Sequence, residues 1–157
     1  MVSLLLRNLL FTILQPGVVV VLFPYLIVRS SGHELLPGNW SLAHYIGAVL
    51  IVTGGAIMVT CILRFITEGK GTISPIDPTK KLIVRGLYRY SRNPMYVGAM
   101  LILAGESVFW WTASLALYAA VVFLAFNLFI VLHEEPRLRR EFGAEYDSYL
   151  KDVRRWV

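Results

Sequence analysis

Charge is what this sequence has least of. Of its 157 residues only 16% are Asp, Glu, Lys or Arg, while 57% are hydrophobic and the mean hydropathy is +0.63. Soluble domains carry about a quarter charged residues and under half apolar ones. Disorder requires the opposite balance, low hydrophobicity with high charge, and is excluded. Cysteine is scarcer still: Cys61 stands alone inside an apolar run, which excludes a disulfide scaffold. Metal-ligand patterns are missing too, since His133-Glu134-Glu135-Pro136-Arg137 lacks the second His of a zinc helix. No phosphate-binding loop, dinucleotide fingerprint or nucleophile signature is present. Nor is there a basic, aromatic-interleaved soluble segment that would suit nucleic acid. What remains is a small integral membrane protein, one domain over residues 1–157.

A span needs about 20 apolar residues to cross roughly 30 Å of hydrocarbon. Asn8 to Val28 supplies 21 residues without a charge, interrupted by Pro16-Gly17 and Pro24, which membrane helices tolerate. A signal peptide is the rival reading, but its apolar region would run only about 7–15 residues and end in a small-x-small site. Ile27-Val28-Arg29 is not such a site. Tyr45 to Leu63 is a second uncharged stretch, of 19 residues. Its Gly47, Gly54, Gly55 and Ala56 would let another helix approach closely. Asn93 to Gly105 gives 13 uncharged residues, then comes Glu106, then 26 more from Ser107 to Leu132. That is too long for one helix and fits a hairpin turning near Gly105–Trp111, with Trp110-Trp111 as interface anchor. The expected fold is therefore all-α: a bundle of about four transmembrane helices, the last two a hairpin, followed by a C-terminal amphipathic cytoplasmic helix. Leu138, Phe142, Tyr146, Tyr149 and Leu150 give that last helix its apolar face, with Gly143 as its breaking point.

The charges gather on one side. Residues 64–93 hold seven Lys/Arg against two acids, and residues 133–157 hold six of each, while 29–44 is neutral. The positive-inside rule places the N-terminus, the 64–93 loop and the tail in the cytoplasm. The +5 of the loop equals the net charge of the whole chain, and attraction to anionic lipid headgroups would by itself account for it.

Two segments carry chemistry. Arg92-Asn93-Pro94-Met95-Tyr96 reads as a helix start, with Pro94 in the first turn and Asn93 where an N-cap belongs. Its free N–H groups favour an anion, though a plain capped helix with interfacial Arg and Tyr anchors has the same sequence. His133-Glu134-Glu135 sits directly on the fourth apolar run, where the dipole of a helix end disfavours two carboxylates. Acids at membrane depth are usually functional and partnered. The partner is either Arg92 or a cationic ligand.

Taken together, Gly86-Leu87-Tyr88, then Arg92-Asn93-Pro94-Met95-Tyr96-Val97-Gly98, then Glu134-Glu135, then Leu138, Phe142-Gly143, Tyr146, Tyr149 and Val153-Arg154-Arg155-Trp156 resemble the isoprenylcysteine carboxyl methyltransferase family. That family belongs with phospholipid methyltransferases among the integral membrane S-adenosylmethionine enzymes. The resemblance covers residues 80–157. It implies an S-adenosylmethionine-dependent methyltransferase whose cofactor site holds Tyr88, Arg92, Asn93, Pro94, Met95, Tyr96, Glu134 and Glu135, bordered by Leu82 and Ile83. Glu134 would bind the charged part. The implied partner is a lipophilic or small methyl acceptor: an isoprenylcysteine-like carboxylate, a phospholipid or a thiol. Asn93 stands where the family often has His. Ile130 stands where the isoprenylcysteine enzymes carry an arginine associated with the lipid substrate. A carboxylate or thiolate acceptor needs no strong base, so the absence of an evident one does not count against an enzyme. Two other classes stay open: an NADPH-dependent membrane reductase of the related superfamily, which would want more cations at the pocket, and a non-enzymatic lipid-binding module that uses the basic loop.

Overall fold

The structure is a computed structural model and describes residues 16–35, 37–67, 82 and 84–157. Residues 1–15, with the N-terminus and the start of the first expected span, residues 68–81 of the 64–93 segment and Ile83 lie outside the described residues. Every regular element among those described is helical. Helix α1 joins a π turn, Val18–Leu22, to Phe23–Ser30; α2 is Leu42–Thr67; a 3-10 turn covers Gly86–Arg89; α3 is Pro94–Phe109; α4 is Ala113–Phe129. A second π turn, Ile130–Glu134, carries α4 into α5, Glu135–Phe142, and α6 is Ala144–Asp152.

Among the described residues two helices are long and apolar enough to cross a membrane, Leu42–Arg64 and Ala113–Phe142; Val18–Ser30 and Pro94–Phe109 are shorter apolar helices. The second long helix corrects a sequence expectation. It does not stop at the Glu pair but runs through Pro136 to Phe142. Proline has no N–H and crowds the carbonyl four residues back, and a π turn widens the helix at that point. The first π turn has the same cause. Pro24 follows Leu22, and Pro136 follows Glu134, by two residues in each case. The carbonyl of Val19, inside the first π turn, accepts a hydrogen bond from the Tyr118 hydroxyl at 2.9 Å. In a setting without water such a carbonyl needs a partner. Because the long helix is unbroken at Glu134-Glu135, the dipole argument against carboxylates at a helix end does not apply to them.

Helices α2 and α3 form the most extensive contact. They run antiparallel with glycines facing: a Cβ on Gly54 would lie 2.5 Å from the Gly98 carbonyl oxygen, and one on Gly47 would lie 2.7 Å from that of Gly105. Backbones this close exclude any side chain between them. Gly55, also expected to admit a neighbour, faces open space instead. The hairpin turn lies at Trp110–Thr112, later than Gly105, because Gly105 and Phe109 are still packed on Gly47. Trp111 takes the left-handed φ of 46° at this turn. Val20, Met58, Ile102, Leu103, Ala119 and Val122 from four helices make the core.

The tail folds back. α5 and α6 meet at Gly143, whose φ of 52° and ψ of −125° suit only glycine, so the expected break is where the sequence puts it. Trp156 then reaches α4, with its ring 5.2 Å from that of Phe123 and its N–H donating to Asn127 Oδ1 at 3.1 Å.

Candidate functional site

Adjacent residues on a helix point about 100° apart, and Glu134 and Glu135 accordingly serve two neighbourhoods. Glu135 faces two arginines. Arg155 donates from Nε to Oε1 at 2.8 Å and from Nη2 to Oε2 at 3.1 Å, and Arg92 donates from Nη1 to Oε1 at 3.2 Å. The bonded carboxylate pushes the Arg155 guanidinium up from its ordinary value, which keeps it charged. Of the two partners expected for the acids, Arg92 thus belongs to Glu135. Glu134 faces the other way and accepts from the Tyr96 hydroxyl at 3.0 Å.

The arginine neighbourhood is a strap. Backbone N–H of Arg92 donates to the Arg154 carbonyl at 2.9 Å, and the Asn93 side-chain amide and the Ser91 hydroxyl donate to the Arg155 carbonyl at 3.0 and 3.3 Å. Tyr149 donates from its hydroxyl to the Tyr88 carbonyl at 2.6 Å. Burial pushes the phenols of Tyr88 and Tyr149 above their usual range, so Tyr149 remains a donor. Asn93 occupies the N-cap position of α3 but makes no side-chain cap bond, because its amide is used on the tail. Gly86 has a φ of +62°, and a Cβ there would collide with the Arg64 guanidinium, which sets the chain's path into Tyr88. Leu82 is half-buried.

On the Glu134 side lies a cavity of about 530 Å³. Its deep wall is apolar, from Val19, Val20, Met58, Ala99 and Phe126, and its rim carries Tyr96, His133, Glu134, Arg137 and Arg140, with Met95 between. Of the ten positions the sequence singles out, Met95, Tyr96 and Glu134 line this space. Tyr88, Arg92, Asn93, Pro94 and Glu135 do not line it and are buried or half-buried. Sequence reasoning missed the lining from α1 and from His133, Arg137 and Arg140. The signal was present: Phe126, Phe129, His133, Arg137 and Arg140 recur at helical spacing, but Pro136 reads as a stop and hides the continuity. Ile130, at the position of the missing arginine, is fully buried and does not line the cavity.

Fold and site define a class: a helical, membrane-associated protein with a cavity that is apolar at depth and ionic at its rim. Comparison with known families narrows this. The phospholipid methyltransferase model matches residues 42–145, and the chain belongs to that family. Among individual proteins, a probable protein-S-isoprenylcysteine O-methyltransferase of Oryza sativa subsp. indica is 29% identical over 113 residues, 69% of this chain and 58% of that protein. Protein-S-isoprenylcysteine O-methyltransferase B of Arabidopsis thaliana is 28% identical over 122 residues, 75% of this chain and 60% of that protein. An uncharacterized protein of Haemophilus influenzae is 39% identical over 64 residues, 40% of this chain and 100% of its own length. These relatives support the kinship with isoprenylcysteine carboxyl methyltransferases expected from the motifs. The chain spans about three fifths of the length of the named methyltransferases. No solved structure matches it.

Proposed function

We propose that this chain is a membrane methyltransferase that uses S-adenosylmethionine and methylates a lipophilic or small acceptor: an isoprenylcysteine-like carboxylate, a phospholipid or a thiol. The observation that carries the reading is the division of the Glu pair. Glu135 is bound by two arginines, while Glu134 accepts from the neutral Tyr96 hydroxyl, has no ion pair among the described residues and faces the cavity. The donor set fits the cofactor. Glu134 offers counter-charge for an ammonium, and the Tyr96 ring offers a face for a sulfonium, a contact worth roughly 0.5–2 kcal/mol.

When bound, the cofactor supplies a methyl group activated by a positively charged sulfur. The chain's residues then have three tasks. Tyr96 holds the Glu134 carboxylate in place through its hydroxyl. Met95 and the walls of Ala99 and Phe126 keep water out, which strengthens the ionic contacts. The strap of Ser91, Arg92 and Asn93 on Arg154 and Arg155 fixes the start of α3, and so the position of Tyr96. Alignment of acceptor and methyl donor supplies the rate, with no base required for a carboxylate or thiolate. Leu82, Ile83, Tyr88, Asn93, Pro94 and Glu135 complete or back the cofactor site.

The reading extends to topology. Residues 1–157 form one domain with its motifs in 80–157. α1 and α3 make two further crossings beside the two long helices, and the N-terminus, the 64–93 loop and the amphipathic tail face the cytoplasm. α3 has 16 residues, about 24 Å of rise, so a hairpin of α3 and α4 suits a locally thinned bilayer.

Calorimetry of the full chain with S-adenosylhomocysteine tests the cofactor assignment. Binding by the unaltered protein, lost in Glu134→Gln, is the expected result, and no binding would sink the proposal. NADPH titrated in parallel separates the reductase alternative. Transfer of labelled methyl into a membrane lipid extract identifies the acceptor.

A further inference from the structure

We infer that Arg137 and Arg140 form the head-group site for the acceptor, which is an amphiphile with an anionic head, a carboxylate or a phosphate. This rests on the methyltransferase reading, but the observations behind it are separate. Most arginines of this region are already paired: Arg92 and Arg155 with Glu135, and Arg139 with Asp147 at 2.8 Å. The two that line the cavity are held less tightly. Arg137 Nε is buried without a hydrogen-bond partner, its closest acid being Glu141 Oε1 at 3.7 Å, one turn along the same helix. Arg140 has no ion pair among the described residues. No ion pair joins Glu134 to either arginine among the described residues, although Arg137 is near enough for its charge to act on the Glu134 carboxylate. A contact of 3.7 Å is beyond hydrogen-bond distance, so an anion arriving in the cavity would offer these guanidinium groups a closer partner than Glu141 does. Guanidinium groups match carboxylate and phosphate geometry.

The shape of the cavity supplies the tail. Phe126, Phe129, His133, Arg137 and Arg140 lie along one stripe of a single helix, so the lining passes in order from apolar to cationic. Val19 and Val20 face them from α1. About 530 Å³ accommodates one drug-sized ligand, not a cofactor together with a whole lipid, so an acceptor's tail must leave sideways. Phe129 and Leu132, which also line the cavity, are 39% and 62% exposed, an apolar opening through which a tail would reach lipid.

The test uses the full chain in nanodiscs of zwitterionic lipid, titrated calorimetrically with dodecanoate, dodecyl phosphate and dodecyl glucoside, with and without S-adenosylhomocysteine. Both anionic amphiphiles should bind more tightly than the glucoside, and the tighter of the two names the head. Arg137→Ala and Arg140→Ala should each weaken anion binding about tenfold, the loss of one charge-assisted hydrogen bond. Glucoside and S-adenosylhomocysteine affinities should be unchanged. Arg137→Lys, which keeps the charge, should recover part of the loss and shows that the site still folds. Equal binding of the glucoside overturns the inference, as does the same loss in Arg139→Ala, which points off the cavity. A fall in S-adenosylhomocysteine affinity in Arg137→Ala also overturns it, by giving that arginine to the cofactor. Should the unaltered chain bind anionic amphiphiles selectively but no S-adenosylhomocysteine, the head-group site stands and the methyltransferase reading fails.

Discussion

Helix α3 meets its neighbours in two opposite ways. Toward α2 it presents Gly98 and Gly105, and the two backbones touch with no side chain between them. At its start it presents Met95, Tyr96 and Ala99 to a cavity, where α1 and α4 stand off behind bulky aromatic and ionic groups. The closed seam has nothing to titrate and no room for a ligand, while the open side gathers an acid, two arginines and a histidine. The contrast shows how a small membrane protein places a site. Tight small-residue packing on one face fixes how the helix sits against its neighbour, and so holds the polar groups near its start around the cavity.

The largest expected effect breaks the seam. Gly54→Leu sets a side chain against the Gly98 carbonyl, where even a Cβ would stand at 2.5 Å. Backbone cannot yield as a flexible side chain does, so a loss of at least about 3 kcal/mol is expected, or failure to fold, read as thermal unfolding in detergent. Gly55→Leu, one residue on and facing open space, should melt like the unaltered protein. Equal damage from both would show that helix propensity, not the seam, sets the cost.

Next comes the ionic side. Glu135→Gln removes the common partner of Arg92 and Arg155 while leaving both cations in place. Breaking a buried pair costs about 3–5 kcal/mol. Here the side chains of Glu135 and Arg155 are 19% and 36% exposed, so solvent screening reduces this to about 2 kcal/mol. Glu134→Gln should cost under about 1 kcal/mol, the worth of one hydrogen bond from a neutral donor. The pair of melts separates a structural acid from a ligand-binding one. If Glu134→Gln proved the more damaging to stability, the division of the Glu pair would be misassigned.

Much of this was legible in sequence and some was hidden for physical reasons. The apolar runs foretold the helices, and Gly143 marked the break in the tail. Gly47 and Gly54 were visible as approach points, but Gly55 looked the same, because a helix apolar on all sides gives no periodicity from which to choose its packed face. Pro136 misled, since a π turn lets the helix pass it. The strap was invisible: its acceptors are the carbonyls of Tyr88, Arg154 and Arg155, and a backbone carbonyl has no sequence signature. Arg92 with one of the Glu pair was foreseen, but which of the two was a matter of helical angle, settled only in three dimensions.

A smaller effect, of opposite sign, concerns Glu106. It is 8% exposed and its Oε2 has no hydrogen-bond partner, at the end of α3 away from the cavity. A buried polar atom without a partner costs about 1–3 kcal/mol, and replacement by an apolar residue of similar volume can stabilise. Glu106→Met should therefore raise stability by about 1 kcal/mol with S-adenosylhomocysteine binding intact. Loss of binding would place Glu106 in the working site and dissolve the contrast between the ends of α3.

The smallest effect completes the contrast between arginines that face the cavity and those that do not. Arg139 and Asp147 pair at 2.8 Å, yet their side chains are 60% and 51% exposed. Exposed pairs contribute little, because water screens the attraction and two long side chains lose freedom in meeting. Arg139→Ala should change the melt by under about 0.5 kcal/mol, although among the described residues this is the shortest ion pair off the strap. Short distance alone does not make an interaction strong; removal from water does. Arg137, with no such short partner, should matter more to ligand binding than Arg139 does to anything measured, and the two substitutions side by side decide whether the cavity or the surface gives these charges their role.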